Sequence, residues 1–337
     1  MPSAKAEPQR ANKAKIGVYW AAACGGCDCS LLEVNEQILD VAAAADIYLW
    51  PCAADAKYSD LEGYRNGELD IVLFNGAIRT AENREIAELI RAKTKYLVAF
   101  GSCAHTGGVI GLANMATRDE LFTTVFGENR ATWPQLSATE NGHELHLPEF
   151  LHKLTPLSEV VEVDYIVPGC APTPNIISGA VDALLGGGDL PPAGTVLAPD
   201  TALCDECERK VTKPEVVTIE QWKRPHEVMI DEELCLLAQG LVCLGPATRA
   251  GCGSACIGAN MPCSGCFGPT SRVRDHGGKA LAAIASLVDS DDEDEIDRIL
   301  AGIPDPVGTF YRYSLPASLL RRAPIERPLE AAASGGE

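Results

Sequence analysis

Fourteen cysteines in 337 residues set the chemistry to be explained. Four follow short apolar runs: Cys24 and Cys27 in CGGC after KIGVYW, Cys103 in GSC after YLVAF, and Cys170 in PGC after VDYIV. Eight more crowd residues 204–266, as CDEC (Cys204, Cys207), the pair Cys235 and Cys243, GCGSAC (Cys252, Cys256) and CSGC (Cys263, Cys266). Thiolates are soft ligands that suit iron–sulfur clusters and zinc. Four sulfurs satisfy one iron–sulfur site, so the C-terminal eight suffice for two. Paired CxxC motifs equally supply a structural zinc module, and spacing alone leaves the two metals open. Cys29 and Cys52 have no obvious partners and read as small packed hydrophobes.

Each of the first four cysteines has glycine beside it or within its motif, namely Gly25, Gly26, Gly101 and Gly169. Glycine lets backbone approach closely and aims N–H groups at an anion. A cube held by four thiolates is negatively charged, so amide donors are what its surroundings must supply.

The elements that position these sulfurs follow from hydrophobic periodicity. Runs at 15–20, 47–51, 70–76, 96–103 and 163–170 read as strands, with helical patterns over 29–43 and 82–94 and through IISGAVDALL. Strands alternating with helices predict a doubly wound α/β fold with a parallel sheet. Ligands of such sheets bind beyond the carboxyl ends of the strands, where Cys24, Cys27, Cys103 and Cys170 stand. An insertion of about sixty residues separates the fourth and fifth strands, a length typical of a functional or partner-facing segment. Residues 186–195, GGGDLPPAGT, have the composition of a linker. Beyond them, residues 204–266 have too few periodic apolar residues for a core of their own and call for metal to hold them. The expected organisation is a disordered leader at 1–14, a sheet domain at 15–186, a cysteine-rich domain at 195–315 with a short acidic helix within 289–302, and a loose tail at 316–337.

With 28 basic against 47 acidic residues the chain carries a net charge of −19, which disfavours nucleic acid as a partner. No apolar stretch approaches the roughly 20 residues of a membrane span, and the polar N-terminus shows no export signal. The expected location is therefore the cytoplasm, where disulfides are rare. Other chemistry finds little support: the six histidines form no compact metal motif, and GGVIG (107–111) is neither a dinucleotide nor a Walker loop. Asp28 and Glu33 read as helix-start acids favoured by the helix dipole. His105 reads as a core or surface histidine, with a supporting role beside Cys103 as the sharper alternative.

The segments GVYWAAACGGCDCSLLE, FNGAIRT, FGSCAHTGG, VPGCAPTPNII, CLGPATRAGCGSAC and NMPCSGCFGPT resemble the small subunit of nickel–iron hydrogenases. The likeness is greatest to the cytoplasmic methyl-viologen-reducing, deazaflavin-non-reducing type linked to heterodisulfide reductase. It covers most of residues 15–275. The GSC and PGC pieces are shared with an electron-transfer subunit of respiratory complex I. The resemblance implies a flavodoxin-like sheet followed by a smaller, irregular iron–sulfur domain, with three [4Fe-4S] clusters. It assigns Cys24, Cys27, Cys103 and Cys170 to a proximal cluster, Cys204, Cys207, Cys235 and Cys243 to a distal one, and Cys252, Cys256, Cys263 and Cys266 to a medial one. Two departures from periplasmic small subunits stand out: Cys204 replaces a histidine ligand, and Cys256 supplies a fourth medial sulfur. The implied partners are a large subunit carrying the nickel–iron centre, a small iron–sulfur linking subunit, and the flavin and iron–sulfur subunits of heterodisulfide reductase. The implied role is electron transfer, with no catalytic residue on this chain. Two rival readings are the same cluster chain on an NAD(P)-linked sulfhydrogenase or complex I-like enzyme, and a zinc-stabilised interaction protein.

Overall fold

The structure, a computed structural model, describes residues 13–129, 133, 134 and 137–320. The first twelve residues of the expected leader, and residues 321–337 of the expected tail, lie outside the described residues.

Six strands form one sheet: β1 (Ala14–Trp20), β2 (Ala45–Leu49), β3 (Leu69–Asn75), β4 (Thr94–Phe100), β5 (Tyr165–Val167) and β6 (Thr195–Val196). Their spatial order is β6-β5-β4-β3-β1-β2, and every neighbouring pair is parallel. The order reverses between β1 and β3, which makes the carboxyl edge there a topological switch point. The central strands are nearly continuous apolar runs because helices cover both faces of the sheet. Leu69, Val72 and Phe74 of β3 and Leu97 and Val98 of β4 are fully buried, each side chain contributing about 1.5–3 kcal/mol.

On one face lie α1 (Gly26–Leu32) and α2 (Ile38–Ala44). The single helix expected over 29–43 is two, because Asn35 adopts a left-handed φ of 53° and interrupts the ladder. Asparagine tolerates that conformation through local hydrogen bonding, as few other residues do. α3 (Ala81–Lys93) is amphipathic, buries Ile86, Ala87 and Ile90, and starts on a Thr80 cap whose hydroxyl accepts from Asn83 N–H at 3.2 Å. α4 (Ser102–Thr106) follows β4 directly, and α5 (Pro174–Leu185) follows the PGC segment.

The insertion between β4 and β5 holds a 3-10 turn (Val109–Met115), a helix (Arg118–Phe126) and a hairpin of Ser137–Glu140 with His143–His146. Its last strand, Phe150–Thr155, pairs antiparallel with Ile78–Thr80.

Three expectations need correction. The stretch read as a linker ends in β6, where Thr195 and Val196 pair with Tyr165 and Ile166. The cysteine-rich region has an apolar core of its own, in which Trp222, Leu237, Leu241 and Leu244 pack with Ile284, Ile299 and Phe310. The last three come from residues beyond the cysteines, including α6 (His276–Ala285) and the acidic helix α7 (Glu293–Leu300), so a count confined to residues 204–266 misses them. The start of the expected loose tail is packed: Pro316 and Ser318 are buried. A Cβ on Gly107 or Gly111 would lie 2.4 or 2.5 Å from Pro316 Cγ, so these glycines admit the returning chain. Tyr313 carbonyl anchors it, accepting from Gly108 N–H at 3.2 Å and Thr106 Oγ1 at 2.6 Å.

Candidate electron-transfer sites

The sheet register brings the first four cysteines to one level. Trp20 pairs with Asn75, Asn75 with Phe100, and Phe100 with Val167, so β1, β3, β4 and β5 end in a common row. Immediately beyond that row come Cys24 and Cys27, Cys103, and Cys170. The loops are tied together: Gly101 N–H donates to Val167 carbonyl at 2.8 Å, and Ser102 N–H to Gly169 carbonyl at 2.7 Å. The loop before Cys24 is pinned by reciprocal bonds between Ala22 and Ala77, at 3.2 and 2.9 Å.

Two glycines make the approach possible. At Gly101, with φ of 84°, a Cβ would stand 2.4 Å from Cys27 Sγ; at Gly108, with φ of 61°, it would stand 2.4 Å from Cys103 Sγ. Cys27 and Cys103 are buried, whereas Cys24 and Cys170 are exposed. Burial pushes the Cys103 thiol up to about 12, with the charges of Cys170 and Cys24 adding to it. Burial raises Cys27 as well, followed by Cys103, Cys170 and Cys24. The four sulfurs are thus within electrostatic reach of one another, and their thiolates need a cationic centre to be stable together.

The other eight cysteines line two separate cavities. Cys204, Cys207, Cys235 and Cys243 line one hollow together with Arg209, Lys210 and Lys213. Cys252, Cys256, Cys263 and Cys266 line the other together with Thr248, Ser254 and Ser264. Among the described residues no three His, Cys, Asp or Glu side chains gather closely enough to hold a single metal ion. The thiols instead gather four to a hollow.

Hydrogen-bond donors face the sulfurs in both cavities. Cys263 N–H donates to Cys243 Sγ at 3.4 Å. Burial raises the Cys252 thiol, while the backbones of Ser254 and Ala255 oppose that rise by bonding its sulfur. Burial lifts Cys266 to about 12 against a hydrogen bond from the Cys170 backbone. Burial also raises Cys204 to about 11, ahead of the charge of Cys243, and Lys213 acts in the opposite direction. Ser254 Oγ is buried on the cavity wall without a hydrogen-bond partner, a hydroxyl that an anionic group in the hollow would satisfy. Thiolates backed by amide donors and an orphaned hydroxyl fit an iron–sulfur cluster in character.

The three groups form a row. Cys170 touches Cys266 through its backbone, and Cys263 touches Cys243 through its own, so the cavity of Cys252 lies between the other two sites.

Some of the surroundings of these sulfurs carry no signal in the sequence. Asp28 sits in the first turn of α1, yet it is buried and accepts from Trp50 Nε1 at 2.8 Å, from Cys52 Sγ at 3.2 Å and from Asn75 Nδ2. It therefore locks the helix carrying Cys27 onto the ends of β2 and β3. Glu33 lies at the C-terminal cap of α1 and not at a helix start. His105 faces Gly268, and burial followed by Arg249 and His276 lowers its pKa to about 4, leaving it neutral. Cys29 is exposed and lines neither cavity. The hollow between the sheet and α1, α2 and α5 is lined by side chains such as Ile16, Val34, Trp50 and Leu184, and none of its lining residues is titratable.

The family described as NADH ubiquinone oxidoreductase, 20 Kd subunit, matches residues 24–184. Over 317 residues the chain is 38% identical to the iron-sulfur subunit of the F420-non-reducing hydrogenase of Archaeoglobus profundus, covering 91% of this chain and 98% of that one. The chain belongs to this family of F420-non-reducing hydrogenase subunits. The corresponding hydrogenase subunit of Methanothermobacter thermautotrophicus is likewise 38% identical, over 313 residues covering 92% of this chain and 97% of that one. A chain of the crystal structure of an NAD+-reducing [NiFe]-hydrogenase in the H2-reduced state aligns at 31% identity and a TM-score of 0.45, over 53% of this chain and 94% of that one. As a member of the F420-non-reducing family the chain is the electron-transfer small subunit of a hydrogenase, an oxidoreductase component that pairs with a large subunit. No helix among the described residues is long and apolar enough to cross a membrane.

Proposed function

We propose that this small subunit holds three [4Fe-4S] clusters and conducts electrons from hydrogen oxidation at the large subunit to a small iron–sulfur linking subunit and a heterodisulfide reductase-type acceptor. The proximal ligands are Cys24, Cys27, Cys103 and Cys170. The medial ligands are Cys252, Cys256, Cys263 and Cys266, and the distal ligands are Cys204, Cys207, Cys235 and Cys243. The observation that carries this reading is the lining of two separate hollows by four cysteines each, next to a third group of four at the sheet edge.

Bound clusters supply one-electron redox chemistry, and the protein sets its potential through charge, hydrogen bonds to sulfur and burial. The chain's own residues do the rest. Gly101 and Gly108 leave room for the Cys27 and Cys103 sulfurs. The backbone amides of Cys263, Ser254 and Ala255 offset thiolate charge. Lys210 and Lys213 beside Cys204 and Cys207 add positive charge to the distal end. The nickel–iron centre belongs to the large subunit, since twelve cysteines here are committed to clusters and the remaining two, Cys29 and Cys52, form no CxxC pair. Such a complex resides in the cytoplasm, where free thiols persist.

Anaerobic purification of the tagged chain from its native host tests this directly. The expected result is a brown complex containing a nickel-bearing subunit, with visible absorption bleached by dithionite. A chain that purifies with zinc and no iron contradicts it.

A further inference from the structure

Arg79, in the FNGAIRT segment, is 5% exposed, and its terminal nitrogens Nη1 and Nη2 have no hydrogen-bond partner. Its guanidinium carbon stands 4.2 Å from the centre of the Phe150 ring, which shields one face but accepts none of its N–H groups. Burial, with a smaller contribution from Arg118, lowers its pKa to about 10, so it stays charged at neutral pH. Arg118 reaches the same place from the insertion, donating to Phe150 carbonyl at 3.4 Å. Arg79 also directly precedes Thr80, the cap of the thirteen-residue helix α3, whose N-terminus adds partial positive charge. Two guanidiniums and a helix start therefore converge, and among the described residues neither guanidinium forms an ion pair. A buried charge in that condition is costly, and full pairing is what makes it tolerable.

We propose that Arg79, assisted by Arg118, is the receptor for a carboxylate side chain carried by the hydrogenase large subunit. The shape matches: a planar guanidinium binds a carboxylate through two parallel N–H bonds. The position matches too. Arg79 lies two residues from Ala77, which is hydrogen-bonded to Ala22 in the loop leading to Cys24. Trp20, beside that loop, and Val109 and Met115 of the insertion are each 39–44% exposed, apolar side chains that a docking partner would cover. A solute anion brings charge alone, and Nη1 and Nη2 have almost no surface through which to reach it. A carboxylate on a docking protein arrives with apolar burial that offsets the opening of the pocket. The net charge of −19 repels an acidic partner in general, so a local pair of arginines also fixes where contact occurs.

The inference rests on the hydrogenase reading of the chain and not on its clusters, and iron content serves as the control that separates the two. The test measures affinity of the iron-loaded chain for the nickel-bearing large subunit, as wild type, Arg79→Met, Arg79→Lys and Arg118→Met. Loss of one partner of a buried charge pair predicts at least ~30-fold weaker association for Arg79→Met, partial rescue by Arg79→Lys, and a smaller loss for Arg118→Met, all with unchanged iron. The free full-length Arg79→Met chain is expected to melt no lower than wild type, because removing a stranded charge relieves it. Wild-type affinity in Arg79→Met overturns the proposal. So does a lower melting point of the free variant, which would mark a structural role. Stabilisation of the free wild-type chain, but not of Arg79→Met, by inorganic phosphate would assign the pocket to a solute anion and overturn it equally. Should Arg79→Met fail to fold, unchanged affinity in Arg118→Met decides against it.

Discussion

The backbone N–H of Cys263 donates to the sulfur of Cys243 at 3.4 Å. That bond joins two cavities that are otherwise lined by separate sets of cysteines, and Leu244 N–H reinforces it by donating to Cys263 carbonyl at 2.9 Å. Together with the contact of Cys170 on Cys266, it fixes the spatial order of the three sites, with the Cys252–Cys266 group in the middle. Removing Cys243 is therefore expected to disturb two sites. Cys243→Ser should lose the distal iron and also shift the electron paramagnetic resonance signal of the medial site. Cys207→Ser should lose the distal iron alone. Equal spectra in the two variants would argue against the bond as a link.

The glycines at the sheet edge give a steric prediction. Gly101→Ala places a Cβ 2.4 Å from Cys27 Sγ on a backbone with φ of 84°, so the proximal iron, roughly a third of the total, should be lost. Gly258→Ala meets nothing within 4 Å and should keep its iron. Iron analysis of the two variants distinguishes crowding of a site from general damage.

Asp28 makes a third case. Its carboxylate accepts from Trp50, Asn75 and Cys52, all neutral donors. Asp28→Asn replaces one acceptor oxygen by a donor and should destabilise the chain by about 1–3 kcal/mol in chemical denaturation. Loss of the negative charge beside Cys27 should also raise the proximal midpoint potential in a redox titration. Cys52→Ser keeps a donor to Asp28 and should leave iron content unchanged.

How much of this was legible in the sequence is clearest at these residues. The glycine-flanked cysteines at strand ends, and the alternation that builds the parallel sheet, could be read directly, because period and turn chemistry are local. The role of Asp28 could not be read: its partners Trp50, just past β2, and Asn75, at the end of β3, lie 22 and 47 positions away. The core under the second cysteine group was missed for the same reason, since Ile284, Ile299 and Phe310 come from outside the segment they stabilise. Arg79 had no sequence signal at all, because an arginine before a helix cap is ordinarily solvated. The packing of Pro316 on Gly107 and Gly111 was hidden too, since it joins segments some two hundred residues apart.

Cys170, a proposed ligand of the proximal cluster, joins the sheet edge to the medial cavity through its backbone contact with Cys266. Cys170→Ser should abolish hydrogen-driven dye reduction by the complex, while hydrogen–deuterium exchange at the large subunit persists. Unaltered dye reduction would show that Cys170 is not a ligand.

The measurement that bears most directly on the account is the metal content of the chain isolated without air in complex with its large subunit. Three clusters predict about twelve iron and about twelve acid-labile sulfide per chain, with resonance signals that appear on reduction. A folded, colourless chain containing zinc, or no metal, would contradict it.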